Sequence, residues 1–400
     1  MAKTKVLVYQ LFPGSWGSIR MMTMMLHRIA ALGADYVWLS PIFASPWKNH
    51  GYDVSDYYRI NPKLGTIQDF DEFVRAAHAI GLKVVIDLPI DSTSIEHDWF
   101  FTEPHRYVWN DKFNPTKQNV TNHDPAWQPE NGEHYLALNH PAQATLNWFR
   151  NGVLNRGLVE CFKKIMCFWL FDHSVDGFRL ESAQLLNDVS PTETKLNDLL
   201  IGQRAVRAIN ELSNLYGGKA PFLIMDLIDP TFGKVCDYYS QETDVEFVTN
   251  RVLKSTVVSR SKAPLENLRR KVNHQAKNSK FMLDLESHDA PRFTSRSGLN
   301  PLEILNFMFT SKAQAICLYQ GQELGLRNPE NLSMLDIMTL DSKTEFQHVK
   351  NQASIESLRQ NSCANARVPI PLDEYARQES DPSSVLANTI ALVQKWKHYG

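Results

Sequence analysis

The segment Thr66-Ile-Gln-Asp-Phe-Asp-Glu-Phe-Val-Arg-Ala-Ala-His-Ala-Ile-Gly-Leu-Lys-Val-Val-Ile-Asp-Leu-Pro-Ile90 contains one complete unit of the fold. Thr66 can accept a hydrogen bond from a first-turn amide, and Phe70, Phe73, Val74 and Ala77 then recur at helical spacing. Gly81 supplies the stop, because glycine enters the left-handed region without a Cβ clash. Leu82–Ile90 follows at once as a nearly continuous apolar run, the pattern of a strand covered on both faces. A helix that feeds directly into a buried strand argues for parallel strands joined by crossover helices.

The same alternation extends in both directions. Lys5–Phe12 and Ala34–Ile42 read as strands before this unit. Gly177–Leu180, Pro221–Leu227, Val245–Val248, Phe281–Glu286 and Ala315–Tyr319 read as strands after it. With Leu82–Ile90 the total is eight, which predicts an α/β fold of the (β/α)8 TIM-barrel type; such a barrel needs about 250 residues. Met21, Met22, Met24 and Met25 in the first helix read as packing against the barrel. Asp381–Tyr399 is helical in pattern and would close the ring. Between Asp91 and Pro141 the periodicity lapses and Asn, Pro, His and Trp accumulate. That length exceeds an ordinary connection, so residues 91–141 read as a small inserted domain after strand three, leaving 1–90 and 142–400 as the barrel.

Composition narrows the partners. The chain has 400 residues, 43% hydrophobic and 22% charged, with a net charge of -2. Its Lys and Arg residues are dispersed, which argues against nucleic acid or an anionic membrane as partner. No apolar stretch reaches the roughly 20 residues of a membrane span, and Met1–Lys5 leads into a strand without a leader-like apolar region. The expected compartment is the cytoplasm. No segment specifies an oligomeric state. Cys161, Cys167, Cys236, Cys317 and Cys363 show no CxxC spacing and read as buried free thiols. His50, His97, His123, His134 and His140 gather around the inserted segment, yet their spacings fit no metal template. No metal or other cofactor is expected.

Barrel enzymes carry their reacting groups at the C-terminal ends of the strands. Those ends here hold Tyr52 and Asp53 after strand two, Asp87 and Asp91 on strand three, and Arg179 and Glu181 on strand four. Asp226 follows on strand five, and Glu286, His288 and Asp289 on strand seven. Carboxylates converging on one mouth suit acetal hydrolysis, in which one attacks or stabilises the anomeric carbon and another protonates the leaving oxygen. Glu286 and Asp284 read as rim or internal salt-bridge groups.

The order of short segments resembles glycoside hydrolase family 13, the alpha-amylase superfamily, and is most similar to its oligo-1,6-glucosidase and dextran glucosidase branch. The segments are Val8-Tyr9-Gln10, Val37-Trp38-Leu39-Ser40-Pro41, Gly51-Tyr52-Asp53-Val54-Ser55-Asp56-Tyr57, Gly65-Thr66 with Asp69-Phe70, and Val175-Asp176-Gly177-Phe178-Arg179. His288-Asp289 with Pro291-Arg292, Tyr319-Gln320-Gly321-Gln322-Glu323-Leu324-Gly325 and Asn365-Ala366-Arg367 complete them. The resemblance implies an alpha-glucoside or short alpha-glucan as ligand. It makes Tyr52 the ring that stacks on glucose, Asp53 and Arg367 the clamp on the non-reducing-end hydroxyls, and Asp289 a transition-state stabiliser beside His288. Arg179 becomes the orienting arginine, with Asp87 as its structural support.

Departures from the family pattern fall on the reacting groups. Glu181 stands where the resemblance implies an aspartate nucleophile, and Asp226 where it implies a glutamate acid. Asp91-Ser92 replace an Asn-His pair, Ser287 replaces an asparagine, Gly14-Ser15-Trp16-Gly17 replace a calcium loop, and the family's C-terminal β-sandwich has no counterpart. Glutamate is longer by one methylene, and displacing a reacting group by 1 Å can cost about a hundredfold in rate. Two readings follow. One is a retaining alpha-glucosidase or transglucosylase with Glu181 as nucleophile, Asp226 as acid/base and Asp289 as stabiliser. The other is a catalytically inactive relative that binds a glucoside or a protein partner.

Overall fold

A computed structural model describes residues 5–110, 126–138, 140–150, 153–181, 221–227, 236, 240, 245–255, 262–340 and 360–399. Its centre is a ring of eight parallel strands: β1 (Val6–Leu11), β2 (Tyr36–Leu39), β3 (Lys83–Pro89), β4 (Gly177–Glu181), β5 (Phe222–Leu227), β6 (Phe247–Asn250), β7 (Met282–Asp284) and β8 (Ala315–Tyr319). Each pairs with its sequence neighbour, and β8 pairs with β1. The ring closes between β6 and β7 through a parallel bridge from Val248 to Phe281, with the Val248 amide donating to Lys280 O at 2.8 Å. The protein is a (β/α)8 barrel.

Period-two alternation sorts each strand. Val84, Ile86 and Leu88 of β3, with Phe178 and Leu180 of β4, join the outer core under the helices. Val8, Trp38, Val85, Ile224, Phe247, Met282, Ala315 and Cys317 form a separate apolar plug within the ring. Two residues along each strand, the same inward row becomes polar: Val8 gives way to Gln10, Val85 to Asp87, Ile224 to Asp226, Phe247 to Thr249 and Met282 to Asp284, all buried. On β4 the inward residue is Arg179, whose guanidinium lies 5.2 Å over the Trp38 ring. The strands therefore carry an apolar floor into a polar mouth.

Helix α1 (Ile67–Ala79) begins at a capping box in which Thr66 and Asp69 satisfy each other's backbone amides, and it buries Phe70, Phe73, Val74 and Ala77. Gly81 has φ +82°, where a side chain would be strained. The first helical region is divided into Ile19–Thr23 and Leu26–Ala31; Met22 and Met25 pack inward, whereas Met21 and Met24 are exposed, so only half of that methionine group serves the core. Helix α2 (Arg156–Cys167) leaves Cys161 and Cys167 half-buried, a correction to their reading as buried thiols; Cys236, Cys317 and Cys363 are buried, and none of the five forms a disulfide. Helix α3 (Lys262–Asn278) lies between β6 and β7, α4 (Pro301–Phe309) between β7 and β8, and α5 (Val385–Tyr399) packs against α4.

After β3 the chain leaves the barrel. Trp109–Asn110, Glu133–Ala137 and Ala126–Glu130 form a small antiparallel sheet, in that order. Ser92–Ser94 pairs with Gln143–Thr145, two residues past the expected boundary at 141. This pairing returns the excursion to the barrel mouth. No helix among the described residues is long and apolar enough to cross a membrane. His123 lies outside the described residues.

Candidate active site

A cavity of about 210 Å³ opens at the C-terminal ends of the strands. Asn49, Tyr52, Asp91, Gln143, Glu181, Arg251, Asp289, Cys363 and Arg367 line it. That volume is below the roughly 300–1,000 Å³ of pockets for drug-sized ligands, so it suits one small ring.

Register places the charges. Arg179 on β4 stands directly opposite Asp87 on β3, and Asp226 on β5 opposite Thr249 on β6. Arg179 Nη1 donates to Asp87 Oδ1 at 2.9 Å and contacts Glu181 Oε2, while Nη2 lies 2.7 Å from Asp226 Oδ2. Thr249 Oγ1 donates to Asp226 Oδ1 at 2.7 Å. Tyr52 donates its hydroxyl to Asp87 Oδ2 at 2.8 Å. Burial pushes the Asp87 carboxyl up to about 6, although Arg179 and the Tyr52 hydroxyl pull it down.

Arg251, just past the end of β6, completes the cluster. Its Nε donates to Asp226 Oδ2 at 2.9 Å, and its Nη2 contacts both Asp226 Oδ2 and Glu181 Oε1. Two guanidiniums thus each bridge the same two carboxylates. Burial opposes both positive charges, yet Asp226 and Asp87 around Arg179, and Asp226 and Asp289 around Arg251, hold the two guanidiniums above their usual range. A carboxylate between two such cations is favoured in its ionised form. An acid that must deliver a proton needs the opposite environment.

On the other wall, His288 is stacked between Phe12 (4.9 Å between ring centres) and Tyr52 (5.5 Å). Its Nε2 lies 3.0 Å from Asp289 Oδ1, and burial lowers its pKa. Arg367 donates to His288 O and Leu340 O, both at 2.8 Å, with its guanidinium over Phe12. Asp289 is 41% exposed, the most open of the three carboxylates considered for chemistry.

The structure brings Tyr52, Glu181, Asp289 and Arg367 to the cavity wall and sets Asp87, Arg179, Asp226 and His288 behind it. Asp53, expected as half of the hydroxyl clamp, is placed differently from Arg367. It is fully buried and absent from the lining; Oδ1 accepts from Ser45 Oγ at 2.8 Å and from the Asn49 amide at 3.0 Å, and Oδ2 accepts from the Lys48 amide at 2.8 Å. Its carboxylate is spent on shaping this turn. The residue that the turn presents is Asn49, whose Nδ2 donates to Gln143 Oε1 at 2.7 Å. Gln143 Nε2 in turn donates to Tyr52 O and Ser92 Oγ. Glu286 is a buried internal partner, 3.3 Å from Arg292 Nη1.

Sequence reasoning missed Arg251, Asn49 and Gln143. Strand ends carry the chemistry, and the sixth strand runs two residues beyond the expected end at Val248, to Asn250, which puts Arg251 at its tip. Asn49 and Gln143 lie in segments with no periodic signal.

Comparison with known proteins gives a consistent family. The alpha-amylase catalytic domain matches residues 12–378. Trehalose-6-phosphate hydrolase of Escherichia coli strain K12 is 26% identical, over 91% of this chain and 74% of its own length. Oligo-1,6-glucosidase of Parageobacillus thermoglucosidasius is 26% identical, over 92% and 75%. Among solved structures, trehalose-6-phosphate hydrolase of Bacillus licheniformis superposes with a TM-score of 0.81 at 23% identity, covering 100% of this chain and 84% of that one.

Proposed function

The chain belongs to the alpha-amylase catalytic-domain family, and on that basis we propose that its cavity receives the terminal glucosyl unit of an alpha-glucoside without cleaving it. Tyr52 offers a ring face, and Asn49, Gln143, Asp289 and Arg367 surround the same space with polar groups. The observation that carries the second half is the double bridge, with Arg179 and Arg251 each contacting Glu181 and Asp226.

In a retaining displacement, a Glu181 oxygen bonds to the anomeric carbon as the bond to the leaving oxygen breaks, and Asp226 gives that oxygen its proton. Water then attacks the same carbon, Asp226 takes back a proton, and the Glu181 carboxylate departs. Two guanidiniums against Asp226 disfavour the protonated carboxyl with which this sequence begins. A slow retaining glycosidase is the second reading. Its support is that one guanidinium spans both carboxylates, a proximity compatible with the roughly 5–5.5 Å gap of retaining enzymes.

Calorimetry with isomaltose tests the binding. Heat saturating in the millimolar range or below is expected, weakened about tenfold or more by Asp289→Asn; no heat with any alpha-glucoside contradicts the reading. An aryl alpha-glucoside tests turnover. A rate near the typical enzyme value of about 10 per second would contradict the locked pair, while slow release abolished by Glu181→Gln would favour the second reading.

A further inference from the structure

The two arginines at the carboxylate pair are held differently. Arg179 has a side chain 2% exposed, opposes Asp87 across the sheet and lies over Trp38; nothing short of opening the barrel would move it. Arg251 has a side chain 31% exposed, springs from the rim just beyond β6, and itself lines the cavity. Its guanidinium therefore stands within the space offered to a ligand, in contact with Glu181 and Asp226. Glycosyl transfer builds positive charge at the anomeric carbon, and these carboxylates are the groups that would face it.

We propose that Arg251 is a displaceable internal cation, a latch that competes with ligands for Glu181 and Asp226 and keeps the site in a closed form. The proposal rests on the reading of the cavity as a glucosyl site, and it adds how occupancy is regulated. A site open for one tenth of the time binds its ligand about tenfold more weakly than the open form does. Neutral sugars must displace the latch from its two carboxylates. A small cationic sugar mimic replaces it charge for charge. Arg251 acts here as a positioning group.

The test uses the full chain with Arg251→Ala and Arg251→Lys. The lysine variant keeps the positive charge but lacks the planar fork that spans two carboxylates. The first probe is the free guanidinium ion at low millimolar concentration, read by thermal melting. It is expected to raise the melting temperature of Arg251→Ala saturably and to leave wild type unchanged. The second probe is 1-deoxynojirimycin, read by calorimetry. Arg251→Ala is expected to bind it about tenfold more tightly or better, added guanidinium to reverse the gain, and Arg251→Lys to fall between.

Equal affinity of folded wild type and Arg251→Ala for the iminosugar, with no response to guanidinium, would overturn the latch while leaving isomaltose binding intact. Should the alanine variant not fold, an affinity of Arg251→Lys equal to wild type would overturn it as well. Guanidinium and iminosugar effects without isomaltose binding to either protein would instead uphold the latch and remove the glucoside reading.

Discussion

Between β3 and β6 the charges alternate: Asp87, Arg179, the Glu181 and Asp226 pair, then Arg251. Buried charges persist only where each has a partner, and removing one member strands the others. A second buried carboxyl shows the opposite arrangement. Glu323 Oε1 accepts from the Tyr9 hydroxyl at 2.7 Å, and Tyr9 meets the Tyr375 hydroxyl at 3.0 Å, tying the segment after β8 to β1 and the C-terminal helices. Burial pushes Glu323 from 4.5 up to about 7. The folded protein thus binds more protons than the unfolded chain between these values. The contribution of Glu323 to stability is therefore fully present below about 4.5 and is lost as pH rises through about 7. Glu323→Gln keeps an acceptor for Tyr9 and removes the titration. Its melting temperature is expected to match wild type at about pH 4 and to exceed it by roughly 2 °C or more at about pH 8. Parallel melting curves for the two proteins across that range would refute this.

At the scale of elements, the site depends on how closely β4 approaches β5. Gly177 starts β4 opposite Phe222, and a Cβ there would sit 2.0 Å from Phe222 O, a contact no rotamer can relieve. Gly177→Ala is expected to cost about 1–3 kcal/mol or more, read as a lower urea midpoint. It should also weaken isomaltose binding, because Arg179, Glu181 and Asp226 ride on these two strands. An unchanged midpoint would mean that the strands separate freely. The eight strands were legible in the sequence because a barrel covered by helices demands near-continuous apolar runs, and Thr66 to Gly81 announced the helix between two of them. The site was legible where a strand ended in a charged residue, as at Glu181 and Asp226. It was not legible where tertiary contacts decide direction. Of Asn49 and Asp53 only the first lines the cavity, and the bonds that Asp53 accepts from Ser45 Oγ and the Asn49 amide hold that arrangement.

Across the whole molecule, the barrel supplies a rigid floor while the excursion after β3 returns through Gln143 to complete one wall. The ring of strands belongs to the alpha-amylase catalytic-domain family, and its charged side chains gather at the mouth. Glu181 and Asp226 lie under a second arginine, Arg251, whose significance no motif signalled. The account therefore places binding before catalysis. Its central claim is most directly tested by a crystal structure of the protein saturated with isomaltose. The predicted result is a glucosyl ring among Tyr52, Asp289 and Arg367, with the Arg251 side chain turned away from Glu181. A ring bound elsewhere on the surface, with Arg251 still bridging both carboxylates and the cavity without sugar, would contradict it.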